Sequence, residues 1–151
     1  MLQETITEDL TAALKAGEKL RLSVLRNIKS EISNQLVTDG QKPDGELRDE
    51  AVIEVIARLG KQRREAAEEF AAGGRDEMAA KEEAELLILE EYLPEAMSDE
   101  ELEALVETKI AEVGAEDMSA MGQVMGAVMS ETGPATSGDD VRAVVEKKLT
   151  N

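Results

Sequence analysis

Apolar residues recur along this chain at the three- and four-residue intervals of helices, with no convincing strand alternation. Leu2, Ile6, Leu10 and Ala13 form a first stripe, interrupted at Gly17. Thr5 and Glu8 have capping-box spacing, so the first helix is predicted to begin near Thr5. A second helix is predicted from about Glu18, with Leu25, Ile28, Ile32 and Leu36 as its stripe. Residues 39–45 are dense in turn formers and read as an exposed loop. A third helix spans about Asp49 to Ala72, with Val52, Val55, Ile56, Leu59, Ala66 and Phe70 on one face, and Gly73-Gly74 ends it. A fourth runs from about Asp76 to Tyr92, where Pro94 restricts Leu93 and withholds an N–H.

Beyond Pro94, Ser98 and Glu101 form a second capping-box pair that opens a fifth helix, ending near Gly114. A sixth is predicted from Ser119 to Glu131 and a seventh, capped by Ser137 and Asp140, ends near Leu149. The chain therefore reads as all-α. A four-helix N-terminal part, residues 1–94, precedes a small three-helix C-terminal part, residues 95–151.

Four charged side chains fall on apolar stripes. Arg63 lies four after Leu59 and seven before Phe70, and Arg21 lies four before Leu25. Glu82 is four before Leu86, and Asp9 is three after Ile6. One reading has Asp9, Arg21, Arg63 and Glu82 as ion pairs that fix which helix faces meet. The other has the two arginines as a pocket for a carboxylate or phosphate, using the bidentate guanidinium fork.

Composition narrows the chemistry. The only aromatics are Phe70 and Tyr92, so the core must be aliphatic. Cysteine and histidine are absent, which removes thiol nucleophiles, thiolate metal sites and the commonest general base. No catalytic residue, metal site or cofactor is expected. Met118, Met121, Met125 and Met129 line the sixth helix with Gly122 and Gly126 between them. They read as core filler with glycines admitting a neighbouring helix, in preference to an adaptable binding groove. The N-terminal stretch is acidic and the longest uncharged run, Met118 to Ser130, is too short to span a bilayer, so a soluble, cytoplasmic protein with no membrane role is expected.

The net charge is −17, which opposes non-specific nucleic-acid binding. The excess is uneven. Residues 1–40 carry five basic and six acidic side chains, whereas residues 96–151 carry four and twelve. Within residues 15–30, Lys15, Lys19, Arg21, Arg26 and Lys29 face only Glu18, and Arg58, Lys61, Arg63 and Arg64 form a run without an acid. These nine are the candidate tRNA- or anion-binding positions, against the reading of a solvated face balanced by nearby glutamates.

Several blocks together resemble the bacterial-type YqeY family: Leu20-Arg21-Leu22-Ser23-Val24-Leu25-Arg26, Lys61-Gln62-Arg63-Arg64-Glu65, Glu90-Glu91-Tyr92-Leu93-Pro94 and Met118-Ser119-Ala120-Met121-Gly122-Gln123. That family is similar in architecture to the C-terminal tail of the aspartyl/glutamyl-tRNA amidotransferase B subunit. The resemblance implies an accessory module that handles tRNA, linked to carbon–nitrogen ligase activity with glutamine as amide donor, and partners drawn from tRNA or an amidotransferase or synthetase complex. The family's Gly-basic-Ala-Asp-Gly loop before the last helix is here Gly133 to Gly138, without the basic residue, so tRNA contact would rest on Lys15–Lys29 and Arg58–Arg64. The alternative is an acidic protein–protein adaptor with no nucleic-acid role, docking through an acidic helix face or the Met118–Met129 region.

Overall fold

The structure, a computed structural model, describes residues 1–133 and 136–150, and every regular element among them is helical. The helices are α1 (Leu2–Ala16), α2 (Lys19–Thr38), α3 (Asp49–Ala72), α4 (Asp76–Glu90), α5 (Asp99–Val113), α6 (Met121–Met129) and α7 (Gly138–Leu149), with a 3-10 turn at Met118–Ala120. Pro134 and Ala135 of the expected last loop lie outside the described residues. The chain divides into two compact units, Met1–Leu93 and Pro94–Asn151. No described helix is long and apolar enough to cross a membrane.

In the first unit the predicted stripes close on one another. Ile6, Leu25, Ile28, Leu36, Val52, Ile56 and Leu89 are essentially inaccessible, and Tyr92 and Leu93 pack against this cluster. Each such aliphatic side chain contributes about 1.5–3 kcal/mol through burial. Gly17 adopts φ 73°, the left-handed conformation that reverses the chain between α1 and α2. Leu47, in the long α2–α3 connection, is buried, and the Gln3 side chain clasps the backbone on both sides of Glu46 just before it. The Gln3 amide donates to the Gly45 carbonyl at 3.0 Å, and its oxygen accepts from the Leu47 N–H at 2.8 Å.

The start of α1 differs from expectation. The helix begins at Leu2, and Thr5 is already inside it, its hydroxyl donating to the Met1 carbonyl at 3.1 Å instead of capping. An acceptor from α3 does the capping: the Leu2 N–H donates to Asp49 Oδ1 at 2.9 Å. The end of α3 also differs. Ala67 is buried there, and Ala66 and Phe70 are only partly covered.

In the second unit the core is Leu102, Val106, Val124, Val128, Val141, Val145 and Leu149. Ser98 and Glu101 form the reciprocal capping box that opens α5, at 3.2 and 2.9 Å. Ser137 Oγ accepts from the Asp140 N–H at 3.1 Å and opens α7. The sixth element departs from its sequence reading in two ways. Its first turn is 3-10, with Asp117 accepting from the Ser119 N–H at 2.9 Å. Its methionines are not all core: Met121 and Met125 pack on the cluster, but Met118 and Met129 are 41% and 40% exposed. Among the described residues, a methyl group added at Gly122 or Gly126 would meet nothing within 4 Å beyond the helix's own backbone, so the glycines admit no neighbouring helix of this chain.

That open space makes a stability prediction. Gly126 lies well inside α6, so Gly126→Ala should stabilise the protein by about 0.5–1 kcal/mol, read as a higher urea midpoint. A lower midpoint would show that a neighbour crowds the site.

Candidate nucleic-acid interface and ion-pair seams

Helices α3 and α4 lie side by side, and Arg63 projects from α3 into the seam between them and α2. Its Nε lies 2.8 Å from Glu85 Oε2 and 3.5 Å from Glu82 Oε2, and Nη2 donates to Asn27 Oδ1 of α2 at 3.1 Å. The Nε–H is not aligned for a hydrogen bond to either carboxylate, so the attraction there is that of charge at short range. The Arg63 and Glu85 side chains are only 24% and 12% exposed, which shields the contact from water and salt.

Arg21 pairs with neither of the candidate seam acids, Asp9 and Glu82, but with Glu91. Nη1 and Nη2 donate to the two oxygens of Glu91 at 2.7 and 3.0 Å, a bidentate fork, and Glu18 lies 3.3 Å from Nε. The hydrogen bond to Glu91 raises the guanidinium pKa above its already high value, and the same contact lowers that of the Glu91 carboxyl. Asp9 instead accepts the Tyr92 hydroxyl at 2.6 Å. Burial, then the Asp9 hydrogen bond and charge, push the phenol pKa well above its ordinary value of 10.0. Glu91 and Tyr92 are neighbours at the end of α4, so one short segment is tied to α2 by Arg21 and to α1 by Asp9.

The nine candidate anion-binding cations therefore separate into groups. The fork of Arg21 is occupied by Glu91, and Arg63 is engaged by Glu82, Glu85 and Asn27. Arg58 lies 3.6 Å from Glu31 and Lys61 lies 3.9 Å from Glu65. Arg64 is half-buried with no ion pair among the described residues. Lys15, Lys19, Arg26 and Lys29 are exposed and likewise unpaired among the described residues. On α2, Lys19, Ser23, Arg26 and Ser30 follow one another at helical intervals along one outer face, with Lys29 beside them. From Lys19 to Ser30 no acidic residue intervenes, a length of about 16 Å. The structure thus presents a short line of free cations and hydroxyls on a chain whose net charge is −17.

Sequence reasoning missed Glu85, Glu91, Glu18 and Asn27. Glu85 had a signal, since it lies three residues after Glu82 on the same face of α4. Glu91 and Asn27 had none, because their roles arise from packing between distant segments.

A family model described as "Yqey-like protein" matches residues 3–149. Among curated relatives, "Altered inheritance of mitochondria protein 41, mitochondrial" from Kluyveromyces lactis is 34% identical over 104 residues, covering 67% of this chain and 54% of the relative. The protein of the same name from Lachancea thermotolerans is 30% identical over 110 residues, 72% of this chain and 57% of its own length. That from Saccharomyces cerevisiae is 28% identical over 96 residues, 63% and 50%. The chain spans about half the length of the curated relatives it matches. Their names overturn the expected cytoplasmic location: these relatives are mitochondrial, and the charge of a helical body does not carry the short addresses that decide a compartment.

The Tyr92 contact is directly measurable, because Tyr92 is the only tyrosine and there is no tryptophan. Its folded pKa is raised, so its contribution to stability is complete below pH 10.0 and is lost as pH rises through the folded value. Ultraviolet titration of the folded protein should show ionisation later than the ordinary phenol. Asp9→Asn should bring the midpoint down only part of the way, since burial remains. Titration at 10.0 in the parent protein would show the contact is not made.

Proposed function

The chain belongs to the YqeY-like family, and on that premise we propose that it is an accessory helical module, non-catalytic by itself, that contacts tRNA through the outer face of α2. One observation carries this reading: Lys19, Arg26 and Lys29 stay unpaired and exposed, with Lys15 near by, on a chain with twice as many acids as bases. Other cations unpaired among the described residues, such as Arg48, Arg75 and Lys81, stand directly beside an acid in the sequence, whereas no acid intervenes from Lys19 to Ser30. Lysines, arginines and hydroxyls spaced along a helix suit successive phosphates, which position a nucleic acid without reading its bases. Aromatic stacking partners are absent from α2, so the contact is to the backbone of a folded RNA more than to unstacked bases.

The resemblance to the amidotransferase B-subunit tail supports tRNA as the RNA and a glutamine-dependent amidotransferase or synthetase complex as the setting. In this reading residues 1–94 and 95–151 are separate domains and the first carries the RNA contact. The second domain, with four basic and twelve acidic side chains over residues 96–151, is unsuited to phosphate and favours a protein-facing role.

Titration of labelled tRNA at low and physiological salt tests the proposal. With three or four phosphate contacts, the logarithm of affinity should fall against the logarithm of salt with a slope of about −3. Arg26→Glu with Lys29→Glu should weaken binding by about tenfold or more and flatten that slope, while Arg142→Glu on α7 leaves both unchanged. No binding at low salt, or equal loss from the Arg142 variant, would overturn the reading.

A further inference from the structure

The methionine stripe of α6 is only partly covered: Met121 and Met125 pack on the core of their own unit, and Met118 and Met129 at its two ends are exposed. Met118, Met121, Met125 and Met129 follow at helical spacing, with Val124 and Val128 turned into the core beside them. Gly122 and Gly126 lie along the outer edge of that stripe and open onto free space among the described residues. Glycine weakens a helix, and here no turn, positive φ or packing contact within the chain calls for it. What the two glycines do provide is a low, open surface along the outer edge of the methionine stripe, where a foreign backbone can approach beside flexible thioethers that adapt to its side chains.

Charge identifies the occupant. Exposed Glu116 and Asp117 precede the face, and the Ser119 hydroxyl and amide hold the Asp117 carboxyl below the usual carboxylate range. At the other end Met129 reaches towards Gly138, which is followed by exposed Asp139 and Asp140. Of the unit's cations, Lys109 is engaged by Glu112 and Glu131, Lys147 by Glu103 and Lys148 by Glu107, leaving Arg142. An apolar strip with acidic ends suits a helix that is apolar on one face and basic around it.

We infer that the Met118–Met129 face of the second unit is a docking surface for a basic amphipathic helix of a partner protein. This surface belongs to the other unit from α2, so tRNA binding at α2 could fail while the docking proposal stands. The glycines set how closely the partner helix approaches, and the acidic ends select its charge and orientation.

The test uses the full chain with isotope-labelled methionine methyls, whose seven signals comprise the four of this surface and Met1, Met78 and Met97 as internal controls. The probe is a synthetic leucine–lysine helix about five turns long, leucines on one face, added at physiological salt. The four signals of this surface should shift and the three controls should not. A peptide of the same composition with its leucines spread around the helix should bind at least about tenfold more weakly. The Gly122→Ala/Gly126→Ala variant, which keeps its helix content, should also lose about tenfold in affinity. Unchanged binding by that variant, shifts spread over all seven methyls, equal binding of the spread peptide, or no binding would overturn the inference. So would concentration-dependent shifts of the same four methyls without peptide, which would assign the face to a second copy of this chain.

Discussion

The contact on which the first unit most depends is Arg63 held between Glu82 and Glu85 and bonded to Asn27. The core around it is aliphatic, and burial of leucine, isoleucine and valine is non-directional. Such a core rewards many rotations of one helix against another almost equally. A charge inside the seam does not. Turning α3 while keeping Val52, Ile56 and Leu59 buried would carry Arg63 away from both carboxylates and leave them facing apolar surface. The penalty for that uncompensated charge, more than the pair's own attraction, selects the observed packing.

The same logic extends to the end of α4. Glu91 and Tyr92 are fastened to α2 and α1, and Pro94 follows at once, so the chain leaves the first unit from a fixed point. Arginines and acids thus serve two ends in this sequence. Those on stripes are consumed within the fold. Those on the outer face of α2 are left over, and they give an otherwise acidic molecule one local surface of opposite sign. The second unit has the reverse character, acidic almost throughout, with its lysines spent on glutamates and Met118 and Met129 left exposed.

Much of this was legible in the residue pattern because helices are written locally. The bounds of α3, the Ser98–Glu101 capping box and the Gly17 and Gly114 reversals each follow from a few adjacent residues. So did the placement of Arg63 on a stripe. What could not be read were pairings across long sequence separations. Arg21 and Glu91 are seventy positions apart, and Asp9 and Tyr92 eighty-three. The cap on α1 comes from Asp49, forty-seven residues on, so the local Thr5 signal misled. The methionines of α6 illustrate the opposite error. Their spacing is equally that of a core stripe and of an exposed apolar face, and only the three-dimensional surroundings distinguish the two.

The central claim is that a partly buried charge contact, and not aliphatic burial alone, holds α3 and α4 in register. A double-mutant cycle on Arg63 and Glu85 tests it most directly, using Arg63→Met, Glu85→Leu and the two combined, with stability read by urea denaturation. A coupling of about 1–3 kcal/mol is expected, with the double variant more stable than the Arg63→Met single. A coupling within a few tenths of a kcal/mol of zero would contradict it, since the two side chains would then be acting as independent surface groups.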